Sequence, residues 1–167
     1  AATTPVDPAV GKAMRSYFGR FFGNPGSLHS FGQEAMAAVD EAREKIAGRL
    51  GADFREIIFT SSATEANNLV MRGVARAAGH FSLDSGFAPP RVIVSAVEHE
   101  SILETCRDLE GEGVEVIYLP VHKNGVVQLT ALRESLSENA ILVSIMSANN
   151  EIGTVEPIAE IAEIIGN

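Results

Sequence analysis

Three short stretches of this chain carry residue types able to do chemistry. The first is Thr60-Ser61-Ser62-Ala63-Thr64-Glu65-Ala66-Asn67-Asn68. Its small hydroxyl residues and alanines leave the backbone N–H groups unobstructed. The residues after it (Leu69, Val70, Val74, Ala77) suit a helix with one apolar stripe. N–H groups at such a helix start point outward, and the macrodipole there favours negative charge. Ser62 or Thr64 can cap the helix and also offer a hydroxyl to an anion. The pattern reads as a phosphate cradle without the glycines of a P-loop; an ordinary capped helix has the same pattern. The second stretch, Glu98-His99-Glu100, offers an imidazole, although a capping or surface histidine on a solvated loop looks alike. The third, Ser147-Ala148-Asn149-Asn150-Glu151-Ile152-Gly153, offers two carboxamides, and a turn held by Asx hydrogen bonds is its plainer reading.

These stretches need elements to hold them together. Asp7-Pro8 opens a helix with Asp7 as N-cap, and Val10, Met14 and Phe18 give it an apolar face. Phe21 to Ser27 breaks that pattern with turn residues. Ser30 with Gln33 forms a capping box for a second helix, carrying Ala35, Val39 and Ile46 and stopping at Gly51. From Glu56 the rhythm changes. Strands are expected at Glu56–Thr60, Arg91–Ser95, Val114–Leu119 and Ile141–Met146. Helices are expected at Glu65–Ala77, Ser101–Glu110, Thr130–Leu136 and Pro157–Ile165, with a loop over Ala78–Pro90. Lys123-Asn124-Gly125 is a turn leading to a short strand at Val126-Val127. Two parts follow: a helical arm and loop over 1–55, and an α/β domain over 56–167 with a largely parallel sheet covered by helices, a domain that the resemblance given below makes incomplete and its sheet partial. Ligands in such sheets bind at the carboxyl ends of the strands, where all three stretches fall.

Composition narrows the function. The chain has 167 residues and a net charge of −9. That length allows a buried core, and that charge argues against nucleic acid as a partner. No apolar run reaches membrane-spanning length, and no signal-peptide pattern opens the chain. The single cysteine, Cys106, excludes an internal disulfide and fits a reducing, cytoplasmic setting. His29, His80, His99 and His122 show no metal-ligand spacing.

Five motifs stand in one order: Ala2-Thr3-Thr4-Pro5; Gly23-Asn24-Pro25-Gly26-Ser27 with His29; Phe59 through Asn68; Glu98-His99-Glu100; and Asn149-Asn150-Glu151-Ile152-Gly153. In order and spacing they resemble the cysteine desulfurases, a group of the class V aminotransferases with the type I fold of pyridoxal-phosphate enzymes. The resemblance runs nearly the whole chain. It implies pyridoxal 5'-phosphate as cofactor and L-cysteine as substrate, converted to L-alanine. The sulfur is left as an enzyme persulfide for iron–sulfur cluster or thio-cofactor assembly. It further implies a cytoplasmic homodimer that meets a sulfur-acceptor or scaffold protein. Residue by residue, Ala63 and Thr64 would bind the cofactor phosphate. His99 would stack on the pyridine ring and move protons. Asn150 would bond the phenolic oxygen and lie near the substrate carboxylate. Cys106 does not match the family's sulfur-accepting cysteine, and its place in an amphipathic helix makes it a packed thiol.

The family pattern continues with parts that have no match here: an aspartate for the pyridinium nitrogen, a Ser-Gly-His-Lys segment, a substrate-gripping arginine and the nucleophilic cysteine. Lys12, Lys45 and Lys123 do not stand in the matching context. The expectation is therefore an N-terminal part of the enzyme, inactive by itself, with the rest supplied by a longer protein or a complementary chain. Two alternatives remain: a selenocysteine lyase or other class V aminotransferase-like enzyme, and a short non-catalytic paralogue that binds a partner. A nucleotide-binding domain would need a Gly-rich turn where Ser61-Ser62-Ala63 stands.

Overall fold

The computed structural model describes residues 3–82 and 88–166. Two compact units result, one of Thr3–Phe59 and one beginning at Thr60.

In the first unit α1 (Pro8–Met14) begins as expected. The Asp7 carboxylate accepts the Ala9 N–H at 2.7 Å, and proline occupies the first helical position. A 3-10 turn, Arg15–Phe18, continues it. Helix α2 (Ser30–Leu50) is capped by His29 rather than by Ser30. The extended backbone at His29 (φ −77°, ψ 166°) swings its imidazole over the helix start, where Nδ1 accepts the Gly32 N–H at 3.3 Å. Ser30 is already helical and cannot play that part. At the far end Gly51 takes a left-handed conformation (φ 67°), as a terminating glycine does. The Gly23–Ser27 turn is folded hard against the start of α2. A methyl group on Gly32 would overlap the Ser27 carbonyl, and one on Gly23 the Phe31 carbonyl.

The strand expected over Glu56–Thr60 does not form. Phe54–Glu56 is a 3-10 turn closed by a capping box between Asp53 and Glu56. Ile57 is extended (φ −90°, ψ 119°) but is in no ladder: its carbonyl accepts a hydrogen bond from the Arg43 guanidinium. Apolar, β-favouring residues set an extended backbone, but a strand also needs a neighbour with a free edge.

The second unit is α/β. Helix α3 (Ala63–Ser82) starts two residues earlier than expected and runs on past Ala77. It takes up the first part of the stretch read as a loop, of which residues 83–87 lie outside the described ones. Then follow β1 (Arg91–Ser95), α4 (Glu100–Gly111), β2 (Glu115–Leu119), α5 (Leu129–Ser135), β3 (Ala140–Ser144) and α6 (Ile158–Gly166). The three strands form one parallel sheet in the order β2-β1-β3, with Arg91 opposite Glu115 and Val92 opposite Leu142. The α/β class and parallel sheet are as read from the sequence.

Strand period 2 divides the core. Val92 and Val94 of β1 turn to one face and pack with Met71 and Ala75 of α3 and with Ile102, Cys106 and Leu109 of α4. Ile93 turns to the other face, against Leu132 of α5 and Ile161 of α6. Central β1 is therefore buried on both faces, which is why it reads as an unbroken apolar run.

The short strand expected at Val126-Val127 is a single antiparallel bridge, Val121 to Val127. Gly125 has φ 86°, and a side chain there would strike Ile152 Cδ1 and Thr154 Oγ1 at 2.7 and 2.8 Å. Thr154 Oγ1 donates to the Asn124 carbonyl at 2.6 Å, and Glu156 Oε2 accepts the Val127 N–H at 3.0 Å. This turn thus props the loop that follows β3.

Candidate functional site

Parallel strands put their carboxyl ends on one edge, and the loops leaving β1 and β3 meet there. The β1 loop leads through Glu98 into His99, the N-cap of α4. The β3 loop leads through Ser147 to Asn149 and Asn150. Glu98 is 9% exposed, and its Oε1 accepts the Met146 N–H at 2.6 Å, so one carboxylate ties the two loops together. Burial raises its pKa above the usual carboxylate range, and the nearby Glu156 charge adds to that. The Met146 hydrogen bond opposes the rise.

The two asparagines divide the work. The Asn149 carboxamide is consumed by the loop itself. Its Nδ2 donates to the Val97 carbonyl at 3.0 Å, and its Oδ1 accepts the Glu151 and Ile152 N–H groups at 2.9 and 3.0 Å. That is the Asx turn of the plainer reading. The Asn150 side chain, half-buried, has no hydrogen-bond partner among the described residues. Asn150, His99, Glu98 and Leu103 share one cleft of about 340 Å³ between the two loops.

His99 is bound from behind. Its Nδ1 accepts the Ser101 N–H at 3.1 Å and lies 2.9 Å from Ser101 Oγ. The histidine is therefore an N-cap, as the plainer reading has it, yet it also lines the cleft. Ser101 Oγ also accepts from Asn67 Nδ2 of α3 at 2.8 Å. A second bridge runs alongside: Thr105 Oγ1 lies 3.0 Å from Asn68 Oδ1, and Asn68 Nδ2 donates to the Thr64 carbonyl at 3.0 Å. These links tie the second turn of α3 to the first two turns of α4.

At the start of α3, Ser62 Oγ caps by accepting the Glu65 N–H at 3.2 Å. The Glu65 carboxylate folds back onto the Ser61 hydroxyl and N–H at 2.6 and 2.7 Å, which hold it below the usual carboxylate range. The N–H groups of Ala63 and Thr64 and the Thr64 hydroxyl keep no acceptor among the described residues. Three donors at a helix start suit an anion of phosphate size. Ala63 and Thr64 do not themselves line the cleft of His99 and Asn150; the Asn67–Ser101 bridge sets the two parts side by side at one end of the sheet.

Sequence reasoning singled out Ala63, Thr64, His99 and Asn150 and passed over Asn67, Ser101 and Glu98 as holders of that set. Asn67 and Ser101 lie near the starts of two helices that follow candidate loops, and polar residues there were the available signal. Cys106 is fully buried between α4 and the sheet. Burial, with Glu110 and Glu98 nearby, pushes its thiol up to about 11. It is a packing residue.

Comparison with known proteins gives this arrangement its relatives. The pattern of the aminotransferase class-V family matches residues 1–167. Proteins called cysteine desulfurase IscS from Rickettsia felis and Rickettsia akari are 47% and 48% identical over 164 residues. Each match covers 98% of this chain and 38% of the relative, so the chain spans well under half of their length. A solved structure described as a NifS-like protein superposes with a TM-score of 0.87 at 39% identity, covering 98% of this chain and 43% of that one. Another, described as SspA in complex with cysteine, gives 0.85 at 36% identity, covering 99% and 46%.

Proposed function

Because the chain belongs to the aminotransferase class-V family, we propose that it is the N-terminal portion of a pyridoxal-phosphate-dependent cysteine desulfurase. The longer protein converts L-cysteine to L-alanine and keeps the sulfur as a persulfide for iron–sulfur cluster or thio-cofactor assembly. The names of the curated relatives support this, and so does the cysteine complex of a similar solved structure. The observation that carries it is the donor set: N–H groups on Ala63 and Thr64 and an Asn150 carboxamide without partners among the described residues, the last lining one cleft with His99.

In this reading Ala63 and Thr64 hold the cofactor phosphate through their N–H groups and the Thr64 hydroxyl. His99 lies against the pyridine ring and handles protons. Asn150 donates to the phenolic oxygen and adjoins the substrate carboxylate. The cofactor supplies an electron sink conjugated to the substrate amino group. Cys106, buried and with its thiol pushed up to about 11, is not the sulfur acceptor. That cysteine and the lysine that anchors the cofactor come from the remainder of the longer protein. The protein is read as a cytoplasmic homodimer that delivers sulfur to an acceptor or scaffold protein. No described helix is long and apolar enough to cross a membrane.

The test uses the full-length protein. With pyridoxal phosphate it gains a visible absorption band and forms alanine from L-cysteine. His99→Ala cuts turnover and alters the band, whereas Cys106→Ala leaves sulfur release nearly intact. No alanine, or an unchanged His99→Ala enzyme, overturns the reading.

A further inference from the structure

A neutral histidine carries one ring proton, and which nitrogen holds it is set by the partner of the other nitrogen. At His99 that partner is fixed by α4. The Ser101 backbone N–H points at Nδ1 from 3.1 Å. A backbone N–H can only donate, so Nδ1 must be the bare nitrogen. The Ser101 hydroxyl, 2.9 Å from the same atom, is constrained from its other side. Asn67 Nδ2 donates to Ser101 Oγ at 2.8 Å and so occupies a hydroxyl lone pair. Because Nδ1 is bare, the hydroxyl is the donor in that contact, and its oxygen accepts from Asn67. The chain therefore runs in one direction, from Asn67 N–H to Ser101 O–H to His99 Nδ1. The reverse arrangement would set a protonated Nδ1 against the Ser101 N–H.

We infer that Asn67 and Ser101 are positioning residues that lock His99 as the Nε2–H tautomer. Nε2 has no protein partner among the described residues and lies on the ring edge opposite the capping bonds, on a residue that lines the cleft. The cleft is then met by an N–H donor, not by a nitrogen lone pair, and whatever group faces Nε2 is a hydrogen-bond acceptor. The lock also crosses from α3 to α4, so the helix that carries the Ala63–Thr64 turn supports the Ser101 hydroxyl that faces the imidazole. The significance of the lock for binding rests on the cofactor reading above; the tautomer itself does not.

The experiment is nitrogen-15 NMR of histidine-labelled full-length protein in a buffer alkaline enough to keep imidazoles neutral. The His99 signals are assigned by their loss in His99→Gln. Pyrrole-type and pyridine-type nitrogens are resolved whether or not the cleft is filled, so the result does not depend on cofactor binding. The expected result is a pyridine-type Nδ1 and a pyrrole-type Nε2. Ser101→Ala keeps the backbone cap but removes the hydroxyl. It should raise the Nδ1–H to Nε2–H ratio roughly five-fold, the effect of one ordinary hydrogen bond. Ser101→Thr should restore the wild-type ratio, and Asn67→Ala should shift it in the same direction as Ser101→Ala. A pyrrole-type Nδ1 in the wild-type protein overturns the inference. So does a ratio that neither Ser101→Ala nor Asn67→Ala moves.

Discussion

Adjacent asparagines with opposite duties make the sharpest test of the site. Asn149→Ala removes three hydrogen bonds at once: Nδ2 to the Val97 carbonyl, and the Glu151 and Ile152 N–H groups to Oδ1, all at 2.9–3.0 Å. At about 1 kcal/mol net for each bond, the loss is roughly 3 kcal/mol. Asn150→Ala removes no protein hydrogen bond, so its stability should change by less than about 0.5 kcal/mol. Affinity should respond in the other sense. A carboxamide bonded to an anionic oxygen contributes about 1.5–3 kcal/mol, so Asn150→Ala should weaken pyridoxal phosphate roughly ten- to hundred-fold. The assay is paired: urea unfolding of the cofactor-free full-length protein, then a spectrophotometric cofactor titration. Should Asn150→Ala destabilise as much as Asn149→Ala, the division of labour between them is wrong. Should it leave both stability and affinity untouched, Asn150 has no part in the site.

Three further outcomes follow from the structure. Burial raises the Glu98 pKa above its ordinary 4.5, so its favourable contribution is fully present below that value and is lost as pH rises through the raised one. Glu98→Gln, which keeps an acceptor for Met146, should therefore gain stability over wild type as pH rises above the carboxylate range; a gain that shrinks with rising pH refutes this. Cys106, fully buried and pushed up to about 11, should resist thiol reagents in the native protein and react on unfolding, and fast native labelling would contradict the packing described. Gly32→Ala should destabilise the Thr3–Phe59 unit by more than the ~1 kcal/mol that alanine ordinarily gains over glycine in a helix, because its methyl meets the Ser27 carbonyl. A neutral or stabilising result by thermal unfolding would show that the turn yields.

Local chemistry made much of this protein legible as a string of residues. Short β-branched runs such as Val92-Ile93-Val94, alternating with helical patterns, point to a parallel sheet under helices. Asp7-Pro8 and Leu50-Gly51 set helix ends through bonds that reach no further than a turn. Tertiary contacts settled the rest. Ile57 is extended, but no ladder partner meets Ile57-Ile58-Phe59 among the described residues, so it is not a strand. Asn149 and Asn150 are identical in type. The local Glu151 and Ile152 N–H groups and the Val97 carbonyl, 52 residues back along the chain, all engage the first carboxamide and not the second. The imidazole of His99 is likewise ambiguous in one dimension, since capping and ligand duty need the same residue. The Ser101 N–H, two residues on, leaves Nδ1 bare, and only the fold shows that Asn67, 34 positions before Ser101, backs the hydroxyl that also faces it.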